Sequence, residues 1–188
     1  MEKRFQSFID IFKQGKEQYP KKTAIIIGDD RRTYGEIFEN AKKIAGFVLK
    51  KEIKPQDKVA VISQNHVDYI ETVLGIIMSG AVPVNINWRL AAPELHRLLQ
   101  FNEVKLTFFR SKDASIRAEM GELTKELCQC VDMDCIADAL ESVEPLEQFI
   151  EREDREVLMH LHTSGTTGMP KTVRYTKGQY MRELTTCV

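Results

Sequence analysis

Short β-branched runs alternate with amphipathic segments along most of this chain, and that alternation leaves few folds open. Residues 58–63, 82–86 and 105–109 are compact strand-like runs. Between them, Val67, Ile70, Val73, Leu74 and Ile77 recur at helical spacing, and so do Leu95, Leu98 and Leu99. Strand, helix, strand, helix, strand is the pattern of parallel neighbours joined by crossovers. The expected class is therefore α/β, a parallel-rich doubly wound sheet with covering helices. In open sheets of this kind a ligand sits beyond the carboxyl ends of the strands.

The remaining segments fit around that frame. Phe5, Phe8, Ile9 and Phe12 predict an N-terminal helix, ended by Gly15 and Pro20. Residues 23–27 and 31–33 read as two paired strands around the turn signal Gly28-Asp29-Asp30. Thr33 and Glu36 make a capping box for a helix whose face carries Ile37, Ala41, Ile44, Ala45 and Val48. Asn65 is placed to cap the next helix, and Gly80 to stop it. Pro83 argues for an edge position or an irregular start to its strand, and Pro93 suits a first helical turn. Residues 111–154 predict one or two helices and a short strand near 130–133. The acidic run 141–156 reads as a solvated surface connection.

Composition excludes several classes. Over 188 residues the net charge is −1, so no basic excess favours nucleic acid. Residues 1–13 lack the apolar core and cleavage site of a signal peptide, and no apolar run reaches transmembrane length. A cytoplasmic location is the resulting expectation. Cys128, Cys130 and Cys135 are spaced C-x-C-x4-C, which is not a zinc pattern, and Cys187 stands apart. These are expected to be thiols without metal. His160 and His162 alternate on one strand and should share a side. A catalytic metal needs about three protein ligands, so an ordinary strand pair is expected there.

The chemistry is concentrated in Thr163, Ser164, Gly165, Thr166, Thr167, Gly168, Met169, Pro170 and Lys171. An apolar run, residues 157–161, leads in, and an alternating run, residues 171–176, leads out. Glycines let several backbone N–H groups converge on one concavity. Four hydroxyls add neutral donors, and Lys171 adds a mobile positive charge suited to phosphate. A hydrophilic turn between two strands is the plainer reading of such a cluster. A Walker A loop is not, because Pro170 stands where that pattern has glycine, and a strand rather than a helix is expected after Lys171.

These nine residues resemble the phosphate-binding signature Thr-Ser-Gly-Thr-Thr-Gly-x-Pro-Lys of the AMP-forming acyl-adenylate enzymes. That family includes acyl-CoA synthetases, luciferases and the adenylation domains of peptide synthetases. The likeness extends upstream through Thr33-Tyr34-Gly35-Glu36, through Asp57-Lys58-Val59-Ala60-Val61, and through Gly75 to Asn85. Asn87-Trp88-Arg89-Leu90 resembles a version found among fatty acyl-CoA ligases. Trp88, Arg89 and the asparagines before them are expected to serve packing rather than catalysis.

The resemblance implies a two-step reaction. A carboxylic acid, such as a fatty acid, attacks the α-phosphate of Mg2+-ATP to give acyl-AMP and pyrophosphate, and CoA then takes the acyl group. Thr163, Ser164, Gly165, Thr166, Thr167, Gly168 and Lys171 would hold the β- and γ-phosphates. The sequence departs from the family at three points: Thr172 where glycine is usual, Lys177 where histidine is frequent, and His162 where an aromatic often stands. The family's adenine pocket, magnesium-associated acidic motif, acyl pocket and lysine-bearing small domain lie farther along than Val188. Residues 1–188 are thus expected to be part of an N-terminal AMP-binding domain with no complete catalytic set. Such a part should be inactive alone, and prone to self-association through apolar surface that the remainder would cover. A non-catalytic phosphate-binding or interaction module is the competing expectation.

Overall fold

Ser7 opens the first helix. Its hydroxyl accepts from the Asp10 N–H at 3.2 Å while the Asp10 carboxylate accepts from the Ser7 N–H at 2.9 Å, a reciprocal cap. In the computed structural model, which describes residues 6–111, 114–125, 127–163 and 171–186, this helix α1 spans Phe8–Gln18. It runs straight through Gly15, which was expected to help end it. A side chain at Gly15 would collide with the Tyr34 ring, so this glycine serves close packing rather than termination.

The hairpin β1 (Thr23–Ile27) and β2 (Asp30–Thr33) forms its own two-stranded sheet. Gly28 occupies the left-handed turn position at φ +61°. Thr33 then caps α2 (Tyr34–Lys50) through the expected box, with Glu36 accepting from the Thr33 N–H at 2.8 Å. The chain continues as β3 (Lys58–Ile62), α3 (Val67–Met78), β4 (Val82–Asn85), α4 (Ala92–Phe101) and β5 (Val104–Phe109). Next come α5 (Ala114–Thr124), β6 (Gln129–Asp132), a 3-10 turn (Met133–Cys135) and α6 (Ile136–Leu140). The last elements are β7 (Val157–Thr163), β8 (Lys171–Thr176) and α7 (Lys177–Thr186).

The main sheet has the order β6-β5-β3-β4-β7-β8. The first five strands are mutually parallel, and β8 returns antiparallel along β7. Side chains along β3 alternate between two cores. Val59 and Val61 face the layer formed by α1, α2 and α3, whereas Ala60 and Ile62 face Leu95, Leu98 and Leu99 of α4 and Met120 of α5. Both faces are covered, as the expected doubly wound class requires.

Three local expectations are corrected. The cap of α3 is His66, not Asn65, with His66 Nδ1 accepting from the Asp68 N–H at 3.3 Å. The helix starts one residue too late for Asn65 to reach it. Pro83 lies in an internal strand, not at an edge. Val82 and Ile86 donate towards β3, to the carbonyls of Asp57 and Val61, so the N–H that Pro83 lacks falls on the β7 side. There the two strands meet in register at Val84 and His160, beyond the proline. Finally, the connection 141–156 is solvated only on its outer side. Val143 is buried, Phe149 packs edge-on against Phe38 at 5.7 Å, and the Ile150 N–H bonds to the Met78 carbonyl at 3.1 Å.

Candidate functional site

The two ends of the 163–171 loop are brought together by β7 and β8. Thr163 lies opposite Lys171 in the antiparallel register, and both are exposed. They stand at the carboxyl end of β7, on the rim where open parallel sheets take their ligands. Lys171 begins a strand, not a helix, as the argument against a Walker loop requires. Ser164, Gly165, Thr166, Thr167, Gly168, Met169 and Pro170 lie outside the described residues.

Beneath this rim the structure assembles a polar network that sequence periodicity did not indicate. His160 and His162 share a side of β7, as expected, while Leu161 points the other way. Between them sits Asn102, the residue that ends α4. Its amide Nδ2 donates to the Leu98 carbonyl at 2.8 Å, which fixes the amide orientation, because a carbonyl can only accept. Asn102 Oδ1 must then accept from His160 Nδ1–H, at 2.9 Å. Asn102 Nδ2 must donate to His162 Nε2, at 3.3 Å. His162 Nδ1–H in turn donates to the backbone carbonyl of Asn85 at the end of β4, at 3.0 Å. Asn85 Oδ1 accepts from the Tyr69 hydroxyl at 2.8 Å. Burial pushes the Tyr69 phenol up to about 12. His160, only 3 % exposed, is held down to about 4 chiefly by burial, with the positive fields of Arg174 and Lys58 adding to it.

The three departures noted in the sequence have distinct fates. His162 is part of this network. Lys177 turns away from the loop and donates to the Arg152 carbonyl at 3.0 Å, tying α7 to the connection before β7. Thr172 buries its hydroxyl with no hydrogen-bond partner among the described residues. Trp88 and Arg89 do not serve core packing. Both are exposed on the rim after β4, with the Arg89 guanidinium stacked 4.7 Å from the Trp88 ring centre.

A second polar cluster lies at the ends of β3, β5 and β6. Arg110 donates to Asp68 at 2.8 Å and to Asp134 at 2.7 Å. Arg32 reaches Asp68 at 3.3 Å and Glu71 at 3.1 Å. Glu71, buried and also bonded to Asn40, is raised to about 7, chiefly by burial. Nothing in the linear spacing of these residues links them; only the crossovers do.

Among the described residues, no group of three or more His, Cys, Asp or Glu could hold a metal ion. Cys128, Cys130 and Cys135 are free thiols, and Cys187 lies outside the described residues. No described helix is long and apolar enough to cross a membrane.

A family model described as AMP-binding enzyme matches residues 12–188. The chain belongs to the AMP-binding enzyme family. Among curated relatives, it is 26 % identical over 179 residues to a medium/long-chain-fatty-acid–CoA/3-oxocholest-4-en-26-oate–CoA ligase of Mycolicibacterium smegmatis, covering 88 % of this chain and 32 % of that protein. A feruloyl-CoA synthase of an Amycolatopsis species is 28 % identical over 159 residues, covering 85 % of this chain and 31 % of the relative. The chain thus spans about a third of the length of these curated members of the family. Among solved structures, the N-terminal domain of FACL13 from Mycobacterium tuberculosis superposes with a TM-score of 0.79 at 27 % identity, over 92 % of this chain and 45 % of that one. The o-succinylbenzoate CoA synthetase of Bacillus subtilis shares the fold with a TM-score of 0.81 at 22 % identity, over 96 % of this chain and 45 % of that one.

Proposed function

We propose that this chain supplies the ATP phosphate-binding part of an AMP-forming acid–thiol ligase. The observation that carries the reading is the pairing of Thr163 with Lys171 at the carboxyl rim of the sheet, in a chain of the AMP-binding enzyme family. A hydroxyl and an exposed ammonium at the mouth of a Gly-Ser-Thr loop suit the β- and γ-phosphates and the departing pyrophosphate. Ser164, Thr166 and Thr167 add hydroxyl donors, Gly165 and Gly168 free the backbone to turn its N–H groups inward, and Lys171 offsets the charge that develops as pyrophosphate leaves. In the complete enzyme the partners are ATP with Mg2+, a carboxylic acid such as a fatty acid, and CoA. The names of the relatives support that substrate class.

Calorimetric titration of the 188-residue chain with ATP tests the reading. Binding tighter than about 1 mM, about 4 kcal/mol, and its loss in Lys171→Ala are expected. Undetectable binding by the intact chain would refute it. We further propose that the chain alone does not adenylate carboxylates, because groups that act as a unit lose nearly all rate enhancement when most are missing. Carboxylate-dependent ATP–pyrophosphate exchange by this chain would contradict that. Leu161 and Val173 face one another across the edge hairpin and stay exposed, which supports self-association along β8. Sedimentation at increasing concentration should show it, and a strictly monomeric chain would count against it.

A further inference from the structure

The hairpin that carries the loop is tied to the parallel sheet unevenly. β7 and β8 stay in register from Val157 opposite Thr176 to Thr163 opposite Lys171, whereas β7 and β4 meet in register at Val84 and His160. Beyond His160, the His162 Nδ1–H donates to the Asn85 carbonyl of β4, while His162 Nε2 and His160 Nδ1 are both held by Asn102 at the end of α4.

The network works in one protonation pattern. Asn102 cannot flip, because Nδ2 would leave the Leu98 carbonyl and Oδ1 would meet it oxygen to oxygen. With the amide fixed, His162 must present a lone pair at Nε2, and His160 must present a proton at Nδ1. His162 is thereby the neutral Nδ1–H tautomer and His160 carries a proton at Nδ1, each set by a residue sixty and fifty-eight positions away in the chain. A proton on His162 Nε2 would set two donors against each other across 3.3 Å.

We infer that Asn102 is a positioning residue for the phosphate loop: it fixes His162 as the neutral Nδ1–H tautomer, holds the His160 proton at Nδ1 and, through His162, holds the β7 end of the loop against β4. This rests on the reading that the loop takes phosphates, but the lock itself can be measured without ligand.

The first experiment is long-range 15N imidazole spectroscopy of the full 188-residue chain near pH 7. Protonated Nδ1 and unprotonated Nε2 are expected for His162, with a protonated Nδ1 for His160. A His162 proton on Nε2 overturns the inference. Asn102→Ala should then speed amide exchange at His162 and Thr163 at least about tenfold, and weaken pyrophosphate binding by about tenfold. Unchanged exchange overturns the inference, as does unchanged affinity in a chain that binds pyrophosphate. Should Asn102→Ala not fold, His162→Phe removes both ring bonds from the β7 side, and unchanged amide exchange at Thr163 overturns the lock. If the parent chain binds no pyrophosphate while tautomers and exchange behave as expected, the phosphate reading falls and the clamp stands.

Discussion

Two polar clusters occupy the carboxyl rim of this sheet, and they are built on opposite principles. The cluster at β4 and β7 is neutral: Asn85, Asn102, His160 and His162 are joined by hydrogen bonds whose direction is fixed. The cluster at β3, β5 and β6 is ionic, with Arg32 and Arg110 each shared between two carboxylates. The ionic cluster closes on itself, so its charges brace α3 and the 3-10 turn against the sheet. The neutral cluster lies beside the exposed Lys171, which makes no ion pair among the described residues. A rim that must accept a polyanion is better framed by neutral donors than by carboxylates, since like charges nearby would oppose the ligand.

The sharpest way to break the comparison is to remove the hub of each cluster. Arg110→Ala removes two charge-assisted hydrogen bonds of a largely buried guanidinium, leaving Asp68 with Arg32 and Asp134 with Arg117, and should cost about 3 kcal/mol in urea unfolding. Asn102→Ala leaves the His160 Nδ1–H buried without an acceptor and should cost about 2 kcal/mol. Equal losses, or a larger loss at Asn102, would show that the neutral cluster is the main brace.

Acidity separates the clusters by sign. His160 has its folded value depressed to about 4 from 6.5, so between those values the unfolded chain binds the extra proton. Its contribution is present above pH 6.5 and is lost as pH falls to 4, by about 3 kcal/mol. The facing groups are Arg174, His162 and Lys58, and none supplies a negative charge to offset the proton. Glu71 has its folded value raised from 4.5 to about 7, so its contribution is present below pH 4.5 and is lost as pH rises through 7. Its neighbours are Arg32, Asn40 and Asp68. Unfolding curves from pH 4 to 8 should therefore lose acid sensitivity in His160→Gln, and lose the decline towards pH 7 in Glu71→Gln. The smallest expected effect is at an exposed pair remote from both clusters: Lys125→Ala, which breaks the contact with Glu122, should change stability by less than about 0.5 kcal/mol.

The frame of the fold was legible because it arises from local pattern. The β-branched runs, the Thr33–Glu36 box and the helical stripes each act over a few residues, and together they dictate the doubly wound order. Pro83 left an edge position and an irregular start both open, and the edge failed, because its penalty depends on which neighbour its missing N–H would face, which is set by pairing, not by sequence. Gly15 misled because a glycine chosen for contact with Tyr34 looks the same in sequence as a helix stop. At the site, Thr163 and Lys171 were legible as the ends of one loop. Asn102 was not, since its partners come from β7 across a crossover. A polar residue at the end of a helix is a legible cap, but nothing in the sequence pairs Asn102 with the histidines.

The most direct test of the account is a pyrophosphate titration monitored by backbone amide spectra of the 188-residue chain. The account predicts that the largest shifts fall on Thr163, Lys171 and the residues between them, with smaller ones at His162 and Asn102, and none around Arg32 and Arg110. Shifts centred on Arg32 and Arg110, with Thr163 and Lys171 unmoved, would contradict it.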